Sequence, residues 1–204
     1  MTVADTVPYP WPYDGALRAD RFVLLICGAQ RSLTADCEDA TAVLEALDDL
    51  ADVVRHAGGT VIWVRHGATA SGAPGRPSAL PRRGDDGWAL VRTPLADDEV
   101  VDAAGWDGTY GSTLEHDLRR RRATHLALGG IASELTVDST VRSLNDRGFE
   151  CLVLTDGCAP IDADLGARAH ASLTMSGGIF GALGTAGALT HALVNATSRT
   201  GSSR

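Results

Sequence analysis

The segment Phe22-Val-Leu-Leu-Ile-Cys27 is apolar at every position and stops at Gly28. A strand with one wet face alternates apolar and polar residues, so six apolar residues in a row suit a strand buried on both faces. Such strands belong to parallel sheets covered by helices on each side. The rest of the chain keeps to that plan. From Asp36 to His56 the apolar residues Ala40, Val43, Leu44, Leu47 and Leu50 fall at helical spacing, and Gly58-Gly59 ends the run. Val61 to Arg65 predicts a second strand and Glu99 to Asp102 a third. A helix from Thr113 to Arg122 then leads to a strand from Thr124 to Leu128 and the pair Gly129-Gly130. Ser133 can cap a helix running to Asn145, with Gly148 as its stop. A strand from Cys151 to Leu154, a helix from Asp162 to Met175, a short strand from Ile179 to Leu183 and a C-terminal helix complete the series. This strand-helix alternation predicts one α/β domain: a doubly wound parallel β-sheet with helices on both faces and right-handed crossovers. The limits are an N-terminal arm over 1–20, the domain over 21–195 and a disordered tail over 196–204. Residues 67–97, rich in Gly, Pro, Ser and Arg without a clear period, form an irregular excursion of the kind that tends to cover a site.

Composition narrows the chemistry. All 18 basic residues are arginine. Without lysine there is no Schiff base, no pyridoxal phosphate attachment and no phosphate-loop lysine, and arginine does not replace it in proton transfer because its pKa stays above about 12. A formal charge of -8 provides no basic field for nucleic acid. The one cationic run, Arg119 to Arg122, reads as a solvated helix end. No apolar run reaches the roughly 18 residues of a membrane span, so no membrane partner is expected. Cys27, Cys37, Cys151 and Cys158 form no C-x-x-C pair, and the opening residues lack a charged and then apolar leader pattern. Reduced cysteines and a cytoplasmic location are therefore expected. The six histidines are scattered and no Asp-x-His pair occurs near a strand end, so no metal and no other cofactor is expected.

On a doubly wound sheet the working site lies beyond the carboxyl ends of the central strands. The loops after Cys27, Asp102 and Leu128 should meet there. The turn after the first strand, Gly28-Ala-Gln-Arg-Ser32, carries no G-x-G-x-x-G, which argues against a nucleotide cofactor. Several segments together resemble the isochorismatase-like hydrolases: Tyr9-Pro-Trp-Pro-Tyr-Asp-Gly15, Leu24-Leu-Ile-Cys-Gly-Ala-Gln30, Val101-Asp-Ala-Ala-Gly-Trp-Asp-Gly-Thr-Tyr-Gly111, Gly129-Gly-Ile-Ala-Ser-Glu-Leu-Thr-Val-Asp-Ser-Thr140, Asn145-Asp-Arg-Gly-Phe-Glu-Cys-Leu-Val-Leu-Thr-Asp156 and Gly177-Gly-Ile-Phe-Gly181. The resemblance spans residues 9 to 195 and is nearest the branch acting on biuret, ureidoacrylate and carbamoyl compounds. It implies a Rossmann-like three-layer sandwich, a homodimer or homotetramer, and a thiol mechanism run by an aspartate, a lysine and a cysteine. Carried over by position, these three fall on Gly28, Ala103 and Thr136, so the triad is absent. The resemblance also places a cis peptide at Ile131-Ala132, whose neighbouring amides, with Ser133, would hold a substrate oxygen.

What remains for proton transfer near those loops is Glu134, two residues before Thr136, and His66, after the second strand. Each has a plainer reading, as a first-turn carboxylate favoured by the helix dipole and as a rim histidine. Arg65 suits a ligand carboxylate or a structural ion pair, Gln30 a structural hydrogen bond, and Trp106 and Tyr110 a pocket wall or loop packing. The expected function is a repurposed, non-cysteine enzyme acting on a small carbonyl, amide or enol ether metabolite in secondary metabolism, by elimination, isomerisation, cyclisation or vinyl-ether hydrolysis. The alternatives are a non-catalytic protein that binds a small molecule or supports an assembly, and an amidohydrolase with a relocated nucleophile. Trp11 and Tyr13 on the arm are expected to offer aromatic surface to a second subunit.

Overall fold

The computed structural model describes residues 2–68 and 80–201, with side chains described as far as residue 196. Strands β1 (Phe22–Cys27), β2 (Thr60–His66), β3 (Glu99–Ala103), β4 (His125–Ile131), β5 (Glu150–Ala159) and β6 (Ala182–Gly184) form a single sheet in the order β3-β2-β1-β4-β5-β6. All of these pairings are parallel. The six residues of β1 are all buried, as their apolar run predicts. Because side chains alternate across a strand, Phe22, Leu24 and Ile26 enter one core and Val23, Leu25 and Cys27 the other. The first core is closed by α2 (Ala40–His56), through Val43, Leu44, Leu47, Leu50 and Val54, and by Leu189 and Leu193 of α7 (Ala186–Gly201). The second is closed by Leu114 and Leu118 of α3 (Leu114–Arg120) and Val141 and Leu144 of α4 (Asp138–Asp146), with Leu173 of α5 (Ala163–Leu173). Short helical turns α1 (Arg31–Thr34) and α6 (Met175–Gly178) fill the remaining corners. No helix among the described residues is long and apolar enough to cross a membrane.

Several expectations shift. α2 starts at Ala40 rather than Asp36. The helix expected from Ser133 opens as a π-helical turn over Ser133–Val137 before α4 begins. β5 runs on to Ala159, past the exposed Thr155 and Asp156 that looked like its end. The tail expected over 196–204 lies in part in α7, which reaches Gly201. Part of the irregular excursion, 69–79, lies outside the described residues; beyond it the chain makes a turn at Asp86–Trp88 and bridges Leu90 to Gln30. The arm differs most. Trp11, expected to offer its surface to a second subunit, is fully buried within the chain, edge-on to Phe22 and His125. Val7 pairs antiparallel with Leu183 along β6. Tyr13 is the arm aromatic left outside, at 82% exposure.

Candidate functional site

The strand order reverses between β1 and β4, so their carboxyl ends mark the switch point where α/β sheets place their ligands. Here two glycines let backbone meet backbone. Gly28 sits at φ 65°, and a Cβ built on it would lie 1.9 Å from the Ile131 carbonyl oxygen. Gly130 sits at φ 131°, and its Cβ would lie 1.9 Å from the Cys27 carbonyl oxygen. Both positions are therefore closed to any side chain by main chain that cannot swing aside. The Ile131 carbonyl also accepts the Thr136 hydroxyl at 2.7 Å, and the Ala132 carbonyl lies 3.4 Å from the same hydroxyl. Ile131-Ala132 is a cis peptide. Ile131, Ala132, Ser133 and Thr136 are all at or below 1% exposure, so bulk water does not reach this corner.

Each expected proton-transfer group is held through one polar atom, while His66 Nε2 and Glu134 Oε2 are buried without a partner among the described residues. His66 is no rim residue: it is fully buried, its amide donates to Gln30 Oε1 at 2.6 Å, and its Nδ1 meets the Gly105 carbonyl at 3.0 Å. A carbonyl only accepts, so Nδ1 carries the proton, while Nε2 has no partner among the described residues. Burial pushes the His66 pKa down to about 4, so the ring is neutral at pH 7. Glu134 turns to the start of α5, where its Oε1 accepts the amides of Ile161 and Asp162, each at 3.0 Å. Gln30 is the structural hydrogen-bonder it resembled, donating to the carbonyls of His66 and Trp88. The thiols are poor nucleophiles as well. Burial raises Cys27 to about 12 and pushes Cys37, Cys151 and Cys158 upward too.

Ala103 leads to a different place. It ends β3 beside His66, and it lines a cavity of about 610 Å³ at the open edge of the sheet. Trp88 and Val101 supply apolar wall; Asp102, Arg83, Ser112 and Thr113 supply the polar groups. Asp102 is held by Arg65 at 2.6 Å and also by Arg83, and the Arg65 guanidinium lies 5.2 Å from the centre of the Trp88 ring. Arg65 is thus the structural ion pair of its two readings. Trp106 and Tyr110 are not among the described residues that line the cavity: Trp106 packs on the core and Tyr110 is 59% exposed. Their loop is fixed by Asp107, which accepts from the Thr109 amide and from the hydroxyls of Thr109 and Ser143, all within 2.9 Å. Gly28 and Thr136 are likewise absent from the described lining. Sequence reading had less notice of Asp102 and Arg83; the sign available was an acid one residue before the end of β3, at the position that pairs with Arg65 of β2.

A wholly parallel sheet with helical layers on both faces and its switch point between β1 and β4 defines the class, a doubly wound α/β protein whose ligand corner lies at the carboxyl ends of those strands. Residues 22–199 match the isochorismatase domain model, and the chain belongs to that family. Among curated relatives, the isochorismatase family protein YecD of Escherichia coli O157:H7 is 29% identical over 134 residues, 61% of this chain and 71% of that one. The ureidoacrylate amidohydrolase RutB of Cronobacter sakazakii is 28% identical over 131 residues, and the match spans 52% of this chain and 56% of that relative's length. Among solved structures, a cysteine hydrolase from Pseudomonas syringae pv. phaseolicola superposes with a TM-score of 0.79 at 17% identity, over 88% of this chain and 95% of the other. An isochorismatase family protein from Burkholderia thailandensis superposes with a TM-score of 0.74 at 23% identity, over 86% and 96%. At these identities the superpositions speak for the fold.

Proposed function

We propose that this chain is a non-hydrolytic member of the isochorismatase family that binds a small polar metabolite in the β3-edge cavity. The Ile131 carbonyl carries the reading. It fills the space of any side chain at position 28 and takes the Thr136 hydroxyl, so the corner holds no nucleophile paired with a base. The upward-shifted thiols speak against a relocated cysteine. A repurposed enzyme is less well supported, because Glu134 is anchored through Oε1 to two amides, His66 is neutral and buried, and Asp102 lies between two guanidiniums. The cavity offers charge, hydroxyls and apolar wall in one place, which suits a compact molecule with both donors and acceptors. Ureido acids have that pattern. Since several curated relatives are named ureidoacrylate amidohydrolases, ureidoacrylate, biuret and carbamoyl amides are the first compounds to screen.

The test is thermal stabilisation and product release on that panel. The expected result is a concentration-dependent rise in Tm without turnover, reduced in Asp102→Asn. Turnover of any panel member that is abolished by iodoacetamide, by Glu134→Gln or by His66→Gln would overturn the reading in favour of an enzyme.

A further inference from the structure

At the other end of β4, three residues distant in sequence converge. His125 opens β4, Glu150 opens β5, and Asp14 comes from the arm. The His125 Nε2 lies 3.4 Å from Asp14 Oδ1 and 3.4 Å from Glu150 Oε2, and one ligand atom from each lies within 4.8 Å of the other two. We propose that Asp14, His125 and Glu150 form a binding site for a divalent transition-metal ion of the zinc class, which fastens the N-terminal arm to the amino end of the sheet.

Three features support it. The two distances from His125 fit: zinc bound to nitrogen and oxygen at about 2.0–2.2 Å in a tetrahedron sets neighbouring donors about 3.3–3.5 Å apart. The donors are also oriented. His125 is 4% exposed, its Nδ1 lies 3.0 Å from the Thr124 hydroxyl, and Trp11 packs edge-on against its ring. The hydroxyl can accept or donate and so serves either tautomer; in the one with Nδ1–H donated to it, the Nε2 lone pair points at the two carboxylates, as a metal-binding imidazole requires. Glu150 is held in the same way, because its Oε1 accepts the Tyr13 amide and leaves Oε2 toward His125. Finally, a cation suits the electrostatics. An imidazole lone pair facing two carboxylate oxygens is repulsive unless a proton or a metal ion lies between them, and a metal ion there would leave one position open to water. Glu150 is felt nearby: the Tyr9 hydroxyl is raised to about 12 by burial and then by that carboxylate.

The competing occupant of the space between His125 and the carboxylates is an Nε2–H hydrogen bond, so the experiment separates the two. Full-length protein stripped with EDTA is titrated with Zn²⁺ by calorimetry and with Co²⁺ by visible absorption. Exchange of the amides of residues 2–14 is followed in parallel. Expected are one equivalent of Zn²⁺ per chain, a tetrahedral Co²⁺ spectrum and slower exchange of the arm. Asp14→Asn, at an exposed position that does not enter the core, should fold normally and weaken Zn²⁺ at least tenfold, as should Glu150→Gln. His56→Gln, at an exposed histidine elsewhere, should change nothing. Absence of stoichiometric binding, equal affinity in Asp14→Asn and wild type, or loss of binding in His56→Gln instead would each overturn the proposal and leave an Nε2–H hydrogen bond from His125 as the bridge.

Discussion

The two ends of β4 were put to opposite uses. At the carboxyl end, where family resemblance places the chemistry, main chain has closed the space: Gly28 abuts Ile131, Gly130 abuts Cys27, and the Thr136 hydroxyl is taken by a carbonyl. At the amino end, a buried imidazole faces two carboxylates. A strand's ends are chemically independent because the apolar middle of β4 lies between them, so what one end holds puts no constraint on the other. The side chains a family is known for are therefore a poor guide to where an individual member keeps its reactive groups.

Returning a carboxylate to the closed end should break this contrast most severely. Gly28→Asp combines a left-handed φ with a clash against immovable backbone, and a loss of about 4 kcal/mol or more in urea denaturation is expected. If that variant folds with wild-type stability, the corner is open after all. A hydrolase restored by Gly28→Asp, Ala103→Lys and Thr136→Cys together would say the same.

The next effect follows from His66. Its folded pKa of about 4 lies below the unfolded value near 6.5, so between those pH values the unfolded chain takes up a proton that the folded chain refuses. Stability should be unaffected by this group above pH 6.5 and fall as pH drops, by roughly 2 kcal/mol at pH 5. His66→Gln should flatten that window, and a wild-type profile already flat between pH 7 and 5 would place the ring in contact with water.

Smaller losses sharpen the picture. Thr136→Val removes a buried donor from the Ile131 carbonyl at nearly constant volume and should cost about 1–2 kcal/mol without changing ligand binding at the β3 edge. A loss of binding would join the corner to the cavity. Glu134→Ala leaves two amides of the turn before α5 to water and should cost about 1 kcal/mol, seen as faster exchange confined to the start of α5. Faster exchange at the β1–β4 corner instead would return Glu134 to the site.

The sequence declared the fold well because its signals were local. The boundaries of β1 could be read directly, since apolar residues on both faces need no knowledge of partners. β5 was cut short because exposed Thr155 and Asp156 interrupt its apolar run, whereas pairing of Cys158 and Ala159 with β4 carries it on. The arm was misjudged for a related reason: Pro8, Pro10 and Pro12 erase any period, and only the folded chain brings Trp11 against Phe22 and His125. At the site, the identities of Gly28, Ala103 and Thr136 were legible residue by residue. What occupied the space was not, because a carbonyl leaves no letter in a sequence. Nor was the grouping of Asp14, His125 and Glu150, which exists only once β4 and β5 lie side by side.

The bridge from Val7 to Leu183 bears on how the chain behaves in a crowded solution. A sheet with two free rims can grow by adding a neighbour's strand, and proteins avoid this with charge or with a cover. The β3 rim is defended by charge: Glu99 and Asp102 lie along it, tied to Arg120, Arg121, Arg65 and Arg83. Ala182-Leu-Gly184 has no charge of its own, so the arm is its cover. Removing the first ten residues should therefore leave a chain that folds yet self-associates in sheet fashion through β6, with the β3 rim taking no part.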